Sequence, residues 1–423
     1  MDRKNNNKPN QKSSAIFLIF LGWLVYTTSY LGKVNYSANI TQIIDFYGIT
    51  KTQAGTVPTF FFFSYGIGQV FNGLFCKKYN IKWVVFFSLI TSALINLSIA
   101  VGSDFTVMKW LWLINGFALS MLWPTLIRLL SETLPQKKLG TSSVVMGTTV
   151  ATGTLVIYGL SSLFALYDKF KLSFYTAGIS VAVVAVIWAL FYKKAVTFAK
   201  DEKKREEVVE TVKENIAVQN KYEKNDRKLF LVTVCVLCFC SVGVNLIKDG
   251  LTTWVPSILK DEFSMSDSIS ILLTLFLPVL AVFGNAGALK IHKLIPDYVN
   301  HCAVVFGVMA LLIFGIIGSL SYEIISFMLI GLVAVNFLAS SLNSLVTSIF
   351  PLFMRGKVNS GLFAGVLNGF CYVGSAMSSY GLGAIADRFG WSAVFWVLTG
   401  FCGVVIVVWV GYNFVKSFLN KER

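Results

Sequence analysis

The chain has 423 residues, of which 55% are hydrophobic, 15% aromatic and only 13% charged, and its formal net charge at pH 7 is +15. This composition excludes a large soluble domain, because the outer helices of a soluble core would need polar faces. The positive net charge does not require a nucleic-acid partner, because the Lys and Arg residues are concentrated in alternate loops, as is typical of membrane proteins.

Apolar runs of about 20 residues, the length that spans a bilayer as a helix, recur along the whole chain. Lipid admits only helices or closed barrels, and these runs lack the alternation of barrel strands. We therefore predict an all-α membrane protein with twelve transmembrane helices. The predicted spans are 14–38, 53–75, 82–101, 107–131, 139–165, 170–194, 229–257, 266–288, 299–318, 321–347, 357–384 and 391–416. The first run carries no small-residue cleavage site, which favours a retained helix over a signal peptide.

Charged segments divide the spans into two groups of six. The predicted parts are an N-terminal tail (1–13), a six-helix bundle (14–194), a charged linker (195–228), a second six-helix bundle (229–416) and a C-terminal tail (417–423). Of the 36 Lys and Arg residues, 27 lie in the tails, the linker and the even-numbered loops. The positive-inside bias then places both termini and the linker in the cytoplasm of a multi-pass protein of the inner or plasma membrane. We interpret the linker as a solvated tether.

The two bundles share an internal repeat. Gly68 and Gly284, Gly140 and Gly356, and Gly153 and Gly369 are each 216 residues apart, and Lys33 and Lys248 are 215 apart. Six helices followed by six similar helices are typical of transporters that bind their substrate between two bundles.

Two lysines lie deep within predicted helices. A Lys at the centre of a membrane helix costs about 2.5–3.5 kcal/mol on insertion scales, and such charges usually face a cavity. Because Lys33 and Lys248 lie at equal depth in repeated helices, we expect both ammonium groups to face one central cavity. A small anionic solute between them would remove their repulsion and draw the bundles together. The alternative is that each lysine reaches an interface or pairs with a carboxylate.

Acidic residues are scarce within the spans. Asp249 follows Lys248 directly, but neighbouring helix residues point about 100° apart, so the two are not expected to face each other. Arg128 lies four residues before Glu132, a spacing that suits an intrahelical pair or a gate contact. Since proton coupling normally uses a titratable group in the path, the scarcity favours exchange of one anion for another.

Polar and aromatic residues on the central helices supply further candidates for substrate binding, because hydroxyl and amide groups donate to carboxylate or phosphoryl oxygens. Beyond Lys33, Lys248, Asp249 and Arg128, they are Tyr30, Asn35, Tyr36, Gln69, Trp123, Thr149, Trp254, Asn343, Asn368 and Tyr372. For each of them, packing between helices remains the alternative, and Trp123 precedes a proline that should kink its helix. The sequence has no phosphate-cradling loop, nucleophile elbow or metal-ligand cluster, so neither a cofactor nor an enzymatic activity is predicted.

Four segments carry a resemblance to a known family. They are "YLGKVNYSANI" (30–40), "LSMLWPTLIRLLSETLPQKKLG" (119–140), "NLIKDGLTTWVPSILKDEF" (245–263) and "GLGAIADRFGWSAVF" (381–395). The chain resembles the major facilitator superfamily and, within it, the organophosphate:phosphate antiporters, which carry glycerol-3-phosphate, hexose phosphates and phosphoglycerates. The resemblance implies alternating access and a phosphate ester exchanged for phosphate.

The sequence departs from that family at several positions. Lysines stand where the family has arginines, at Lys33 and Lys248, while Gln69 replaces a lysine and Thr149 a histidine. Lys keeps the charge but lacks the planar fork that holds phosphate at two points. A carboxylate or sugar acid therefore remains an alternative substrate, as in the related organic anion symporters. A non-transporting anion sensor and an efflux pump for hydrophobic cations are further alternatives. The expected partners are a small anionic solute and the bilayer, and the protein is expected to act as a monomer.

Overall fold

The structure is a computed structural model that describes residues 14–75, 78–102, 104–210, 226–353 and 360–421. The predicted tail 1–13, the middle of the predicted linker and Gly356 lie outside these ranges. Within them the regular structure is helical throughout. The N-terminal half contains α1 (Ser14–Ala38), α2 (Ile40–Tyr47), α3 (Lys51–Phe75), α4 (Ile81–Gly102), α5 (Phe105–Ser120), α6 (Leu122–Thr133), α7 (Gln136–Gly147), α8 (Thr149–Ala165) and α9 (Lys171–Glu210).

The C-terminal half repeats this mixture of long and broken helices. It contains α10 (Asp226–Phe263), α11 (Asp267–Thr274), α12 (Phe276–Ala281), α13 (Gly284–Leu294), α14 (Tyr298–Ser321), α15 (Ile325–Ser344), α16 (Phe350–Phe353) and α17 (Ser360–Lys421). A π-helical segment, Leu345–Ile349, joins α15 to α16, and α17 is interrupted at Gly390. In the described ranges, nine helices are long and apolar enough to cross a membrane, or ten when one bent pair is counted as a span.

Three hydrogen bonds between helices form at backbone carbonyls that prolines leave unpaired. Proline has no N–H, so it leaves the carbonyl four residues earlier without its helical donor. Pro124 leaves the carbonyl of Ser120, next to the break between α5 and α6, and Gln69 of α3 donates to it (3.1 Å). Pro58 leaves the carbonyl of Ala54, which accepts from the Tyr36 hydroxyl (2.8 Å).

The third such proline is Pro256 of α10, which leaves the carbonyl of Thr252. The hydroxyl of Tyr158 in α8 donates to that oxygen (3.2 Å). Since α8 and α10 belong to different halves, this hydrogen bond crosses the interface between them. Each of the three carbonyls is therefore paired with a side chain from another helix, and these hydrogen bonds help to fix which helices are neighbours.

Glycine contacts support the internal repeat. A Cβ atom on Gly68 would lie 2.0 Å from the Ser120 hydroxyl oxygen, and one on Gly284 would lie 2.9 Å from the Ser340 Cβ. Gly68 and Gly284 are the pair that the repeat predicted to be equivalent. Each packs against a serine of the helix two spans later, so the two halves use the same close contact.

Tight turns lie at one end of the molecule. Positive φ angles in the described residues occur at Gly48, Gly102, Asp168, Ser264, Glu323 and Gly390. Five of them lie in connections that follow an odd-numbered predicted span. The sixth, Glu323, falls inside the predicted span 321–347, because α14 continues to Ser321 and the turn to α15 comes after it. We name this end the Gly48 end, after the left-handed cap of α2 (φ 60°). Left-handed residues allow a helix to reverse in very few residues.

The two halves are joined by ion pairs at the Gly48 end. Lys260 of α10 pairs with Asp45 of α2 (2.5 Å), and Lys51 of α3 pairs with Asp261 of α10 (3.1 Å). Asp387 of α17 accepts hydrogen bonds from the backbone amides of Lys51 (3.1 Å) and Thr52 (2.7 Å) at the start of α3. This end of the interface is therefore closed by contacts from both halves.

The predicted linker differs from a free tether over its first part. Helix α9 continues past residue 194 to Glu210, and Glu202 accepts a hydrogen bond from the backbone N–H of Ala15 (2.9 Å). The first turn of a helix has unpaired amides that attract a negative charge. Lys203 also donates to the Glu132 carbonyl (3.0 Å). This part of the linker is docked on the N-terminal half.

Candidate functional site

Lys33 lies in a cage of aromatic rings drawn from three helices. Its Nζ atom is 4.9 Å from the ring centre of Tyr30 in α1, 4.3 Å from that of Tyr65 in α3 and 5.5 Å from that of Tyr372 in α17. The ring of Phe61 adds a fourth contact at 5.8 Å. Aromatic faces attract a cation over such distances, by roughly 0.5–2 kcal/mol each. The cage holds the ammonium group without neutralising its charge.

The cage lies at the interface between the two halves, because Tyr372 comes from the C-terminal half. Its ring packs on Tyr65 (4.5 Å between ring centres), and Tyr26 packs on Tyr30 (5.5 Å). Among the residues that the structure describes, Lys33 has no ion-pair partner. A cation at an interface, surrounded by neutral rings, is a site that an anionic solute could complete.

Lys248 has a different environment from Lys33. Its Nζ atom lies 3.4 Å from Asp249 Oδ1, and the two side chains are 24% and 17% exposed. The expectation that these neighbours would not face each other is therefore wrong, because the long lysine side chain bends back to reach the adjacent carboxylate. Of the two lysines predicted to face the cavity, Lys248 is therefore paired with a carboxylate of the protein itself.

Asp249 has further partners on two helices. Its Oδ2 atom accepts hydrogen bonds from Ser375 Oγ of α17 (2.5 Å) and Asn245 Nδ2 (3.3 Å). Ser375 lies three residues after Tyr372, whose ring is part of the Lys33 cage, so the Lys248–Asp249 pair and Lys33 lie in one neighbourhood. The site is therefore asymmetric, with a caged cation on α1 and a compensated ion pair on α10.

Two of the predicted polar residues link the halves beside this cluster. Asn368 Nδ2 of α17 donates to Gln69 Oε1 of α3 (3.3 Å). Gln69 Nε2 also donates to the Ser120 carbonyl that Pro124 leaves unpaired. Trp123 packs on the ring of Tyr26 (4.6 Å), one layer behind the cage. Asn343 accepts a hydrogen bond from the Cys371 thiol (3.5 Å).

Other predicted site residues are buried in contacts between helices. Asn35 donates to Asn96 of α4 (2.7 Å), Tyr36 donates to the Ala54 carbonyl, and Thr149 donates to the Met146 carbonyl (2.6 Å). Trp254 packs on Trp391 at the Gly48 end (5.8 Å). All four are 0–1% exposed, so in this conformation they offer no surface to a solute.

Arg128 makes the intrahelical pair that its spacing predicted. Its Nε atom lies 2.8 Å from Glu132 Oε1 in α6. This prediction is confirmed, and the pair lies near the end of the bundle opposite the Gly48 end.

Sequence reasoning missed three residues of the site. Tyr65, Phe61 and Ser375 were not among the predicted candidates, although Tyr65 and Phe61 are one and two helical turns before Gln69. Ser375 lies three residues after Tyr372, and so on the same face of its helix. Extending each candidate by one turn along its own helix would have found Tyr65 and Ser375, and a second turn would have found Phe61.

The chain is similar along most of its length to several membrane proteins. It is 23% identical over 432 residues to the glycerol-3-phosphate transporter of Bacillus subtilis (strain 168), covering 92% of this chain and 89% of that protein. It is 20% identical over 412 residues to the membrane sensor protein UhpC of Escherichia coli (strain K12), covering 95% and 91%. The hexuronate transporter of Bacillus subtilis (strain 168) is 22% identical over 352 residues, covering 82% and 78%. The predicted resemblance to organophosphate transporters is thereby confirmed.

The fold is also that of solved transporters. A bacterial homologue of the human lysosomal transporter Spinster, in an inward-facing and occupied conformation, superimposes with a TM-score of 0.74 at 13% identity, covering 95% of this chain and 97% of that one. Residues 22–363 match the Major Facilitator Superfamily. Together with the many apolar helices, this makes the chain a multi-pass membrane protein of a family of transporters, not of enzymes. The chain belongs to the major facilitator superfamily.

Proposed function

We propose that the protein is a secondary active transporter that moves a small organic anion by alternating access across the inner or plasma membrane. The observation that carries this proposal is the cage of Lys33. A cation held between two halves by neutral rings lacks a counter-ion among the described residues. Intramembrane charges of this kind usually mark a substrate path. Lys248, on the other half, is the second cation of the clamp.

The proposal includes twelve membrane-spanning helices with both termini in the cytoplasm. Six turns with positive φ support this arrangement. Each follows an odd-numbered span when the ninth is extended to Ser321, as in the structure, and the tight reversals then lie on a single face. The same face carries few of the Lys and Arg residues, which favours the non-cytoplasmic side. The Gly48 end is then the outer end, and its closure by ion pairs corresponds to an inward-facing state.

The accepted anion could be a phosphate ester or a carboxylate. Similarity to a glycerol-3-phosphate transporter favours the former, and similarity to a hexuronate transporter favours the latter. The two lysines suit either group, since neither side chain has the fork that grips phosphate bidentately.

A second candidate function is an anion sensor on the same fold. The similarity to the membrane sensor protein UhpC favours this second function. A sensor would bind the anion as a carrier does, but it would not move it.

Uptake by proteoliposomes distinguishes a carrier from a sensor. The purified chain is reconstituted, loaded with an unlabelled anion and exposed to the same anion in labelled form, with glucuronate, glucose 6-phosphate, glycerol 3-phosphate and inorganic phosphate tested in turn. We expect counterflow well above that of protein-free liposomes for at least one of them. An anion that raises the unfolding temperature of the protein, but is never taken up, would contradict transport and support the sensor.

A further inference from the structure

Asp249 is surrounded by hydrogen-bond donors. Lys248 Nζ lies 3.4 Å from one of its oxygens, while Ser375 Oγ (2.5 Å) and Asn245 Nδ2 (3.3 Å) donate to the other. In each of these contacts Asp249 is the acceptor, which is the role of a carboxylate. Asp249 thus contributes a negative charge to the site.

The charges of the site do not cancel. In the sequence, Lys33, Lys248 and Asp249 are the charged side chains in the middle of the predicted spans. Arg128 lies near the end of its span and pairs with Glu132, so this pair is neutral as a whole. Lys248 and Asp249 compensate each other. The ammonium group of Lys33 has only uncharged rings around it and no ion-pair partner among the described residues. The formal charges of these three side chains therefore sum to one positive unit.

We propose that Asp249 sets the charge of the anion that the transporter accepts, so that the site prefers a monovalent carboxylate over a divalent phosphate ester. This inference rests on the anion transport proposed above. A monovalent anion brings the net charge of the site to zero. A divalent anion leaves one negative charge uncompensated between closing halves, where a buried unpaired charge is costly. Two cations without Asp249 would instead match a divalent anion.

Two hexose derivatives test this with nearly the same ring. Glucuronate carries one negative charge, and glucose 6-phosphate is mostly divalent at about pH 7.5, because the second pKa of a phosphate monoester is about 6. Each is added unlabelled, and its inhibition of the counterflow of a labelled anion carried by the wild type is measured. The readout is the concentration of ester needed for half inhibition divided by that of glucuronate. We expect this ratio to exceed one in the wild type.

Asp249→Asn removes one negative charge at constant size. We expect the ratio to fall by at least about tenfold, since a unit charge a few ångströms away changes the binding of a divalent anion more than that of a monovalent one. A Lys248→Gln and Asp249→Asn double variant restores the original net charge and should restore the wild-type ratio, whatever the absolute rate. It also removes the unpaired lysine, so it remains a test if the single variant does not fold.

Asp168→Asn is the matched control, because Asp168 lies in an exposed turn at the Gly48 end and carries the same charge. Its ratio should equal that of the wild type. A wild type that prefers the ester, an unchanged ratio in Asp249→Asn, or a double variant that keeps the single variant's ratio would overturn the proposal. Failure of the proposed function would look different, since the wild type would then carry no anion at all.

Discussion

At the scale of single residues, the position of Lys33 is explained by what surrounds it. Three tyrosine rings from α1, α3 and α17 lie 4.3–5.5 Å from its ammonium group. Such rings reduce the cost of a cation inside a membrane helix without supplying an opposite charge. Lys33 can therefore be stable in the empty state and still attract an anion.

The cage predicts a difference between two substitutions at Tyr65. Tyr65→Phe keeps the aromatic face, whereas Tyr65→Leu removes it from the closest position. We expect Tyr65→Leu to lower the free energy of unfolding by about 1–2 kcal/mol more than Tyr65→Phe does, the range of a partly desolvated cation–π contact. Thermal unfolding of both variants in detergent measures this. Equal loss in the two variants would show that the rings merely fill space.

At the scale of helices, the carbonyls that three prolines leave free are paired with side chains from other helices. The Tyr36 hydroxyl, the Gln69 amide and the Tyr158 hydroxyl each donate to one of them. Leaving a buried carbonyl unpaired costs about 1–3 kcal/mol. The three prolines are therefore accommodated by specific contacts between neighbouring helices.

Tyr36→Phe tests this role of a residue that the sequence had suggested for the substrate site. We expect it to destabilise the protein by about 1–3 kcal/mol, because the Ala54 carbonyl loses its donor, while the apparent affinity for the transported anion stays unchanged. Tyr167→Phe is the matched control, since Tyr167 is 73% exposed, and it should change neither quantity. A tenfold or greater loss of affinity in Tyr36→Phe, with stability intact, would return Tyr36 to the substrate site.

At the scale of the whole molecule, the two halves are closed together at the Gly48 end. Ion pairs such as Lys260–Asp45 cross this interface, but exposed pairs contribute only about 0–1 kcal/mol each. Close packing is the stronger constraint. A Cβ atom on Gly55 of α3 would lie 2.1 Å from the backbone oxygen of Ser379 in α17, so these helices meet more closely than any other residue would allow.

Gly55→Ala should therefore hold the Gly48 end open. We expect spin labels at Phe46→Cys and Phe389→Cys, in a background without native cysteines, to move apart by several ångströms, and counterflow to fall about tenfold or more, because backbone cannot move aside as a flexible side chain does. Gly159→Ala is the control, since a Cβ atom there meets nothing within 4 Å. Unchanged label distances in Gly55→Ala would show that the closure is not limited by this contact.

The sequence was informative wherever a property depends on one segment alone. Apolar length predicted an all-helical membrane protein, in which nine or ten spans are found among the described residues, and spacing predicted the Arg128–Glu132 pair. Depth within a helix singled out Lys33, whose role in binding stays a prediction. The sequence failed for contacts between distant segments. Nothing near Tyr36 indicates that Pro58 would leave a carbonyl within its reach, and nothing near Gln69 indicates the same of Pro124. The Lys248–Asp249 contact was missed because helical periodicity describes where side chains start, not how far a lysine reaches.

In the proposed carrier, the caged ammonium group of Lys33 binds the transported anion. The most direct measurement is counterflow of that anion by Lys33→Gln and Lys33→Arg in proteoliposomes, with Lys109→Gln on α5 as a control of equal charge change. Hydrogen bonds to charged groups contribute about 1.5–3 kcal/mol, so we predict at least a tenfold loss in Lys33→Gln, substantial recovery in Lys33→Arg and no change in the control. Counterflow in Lys33→Gln at the wild-type rate and affinity would show that Lys33 does not bind the anion.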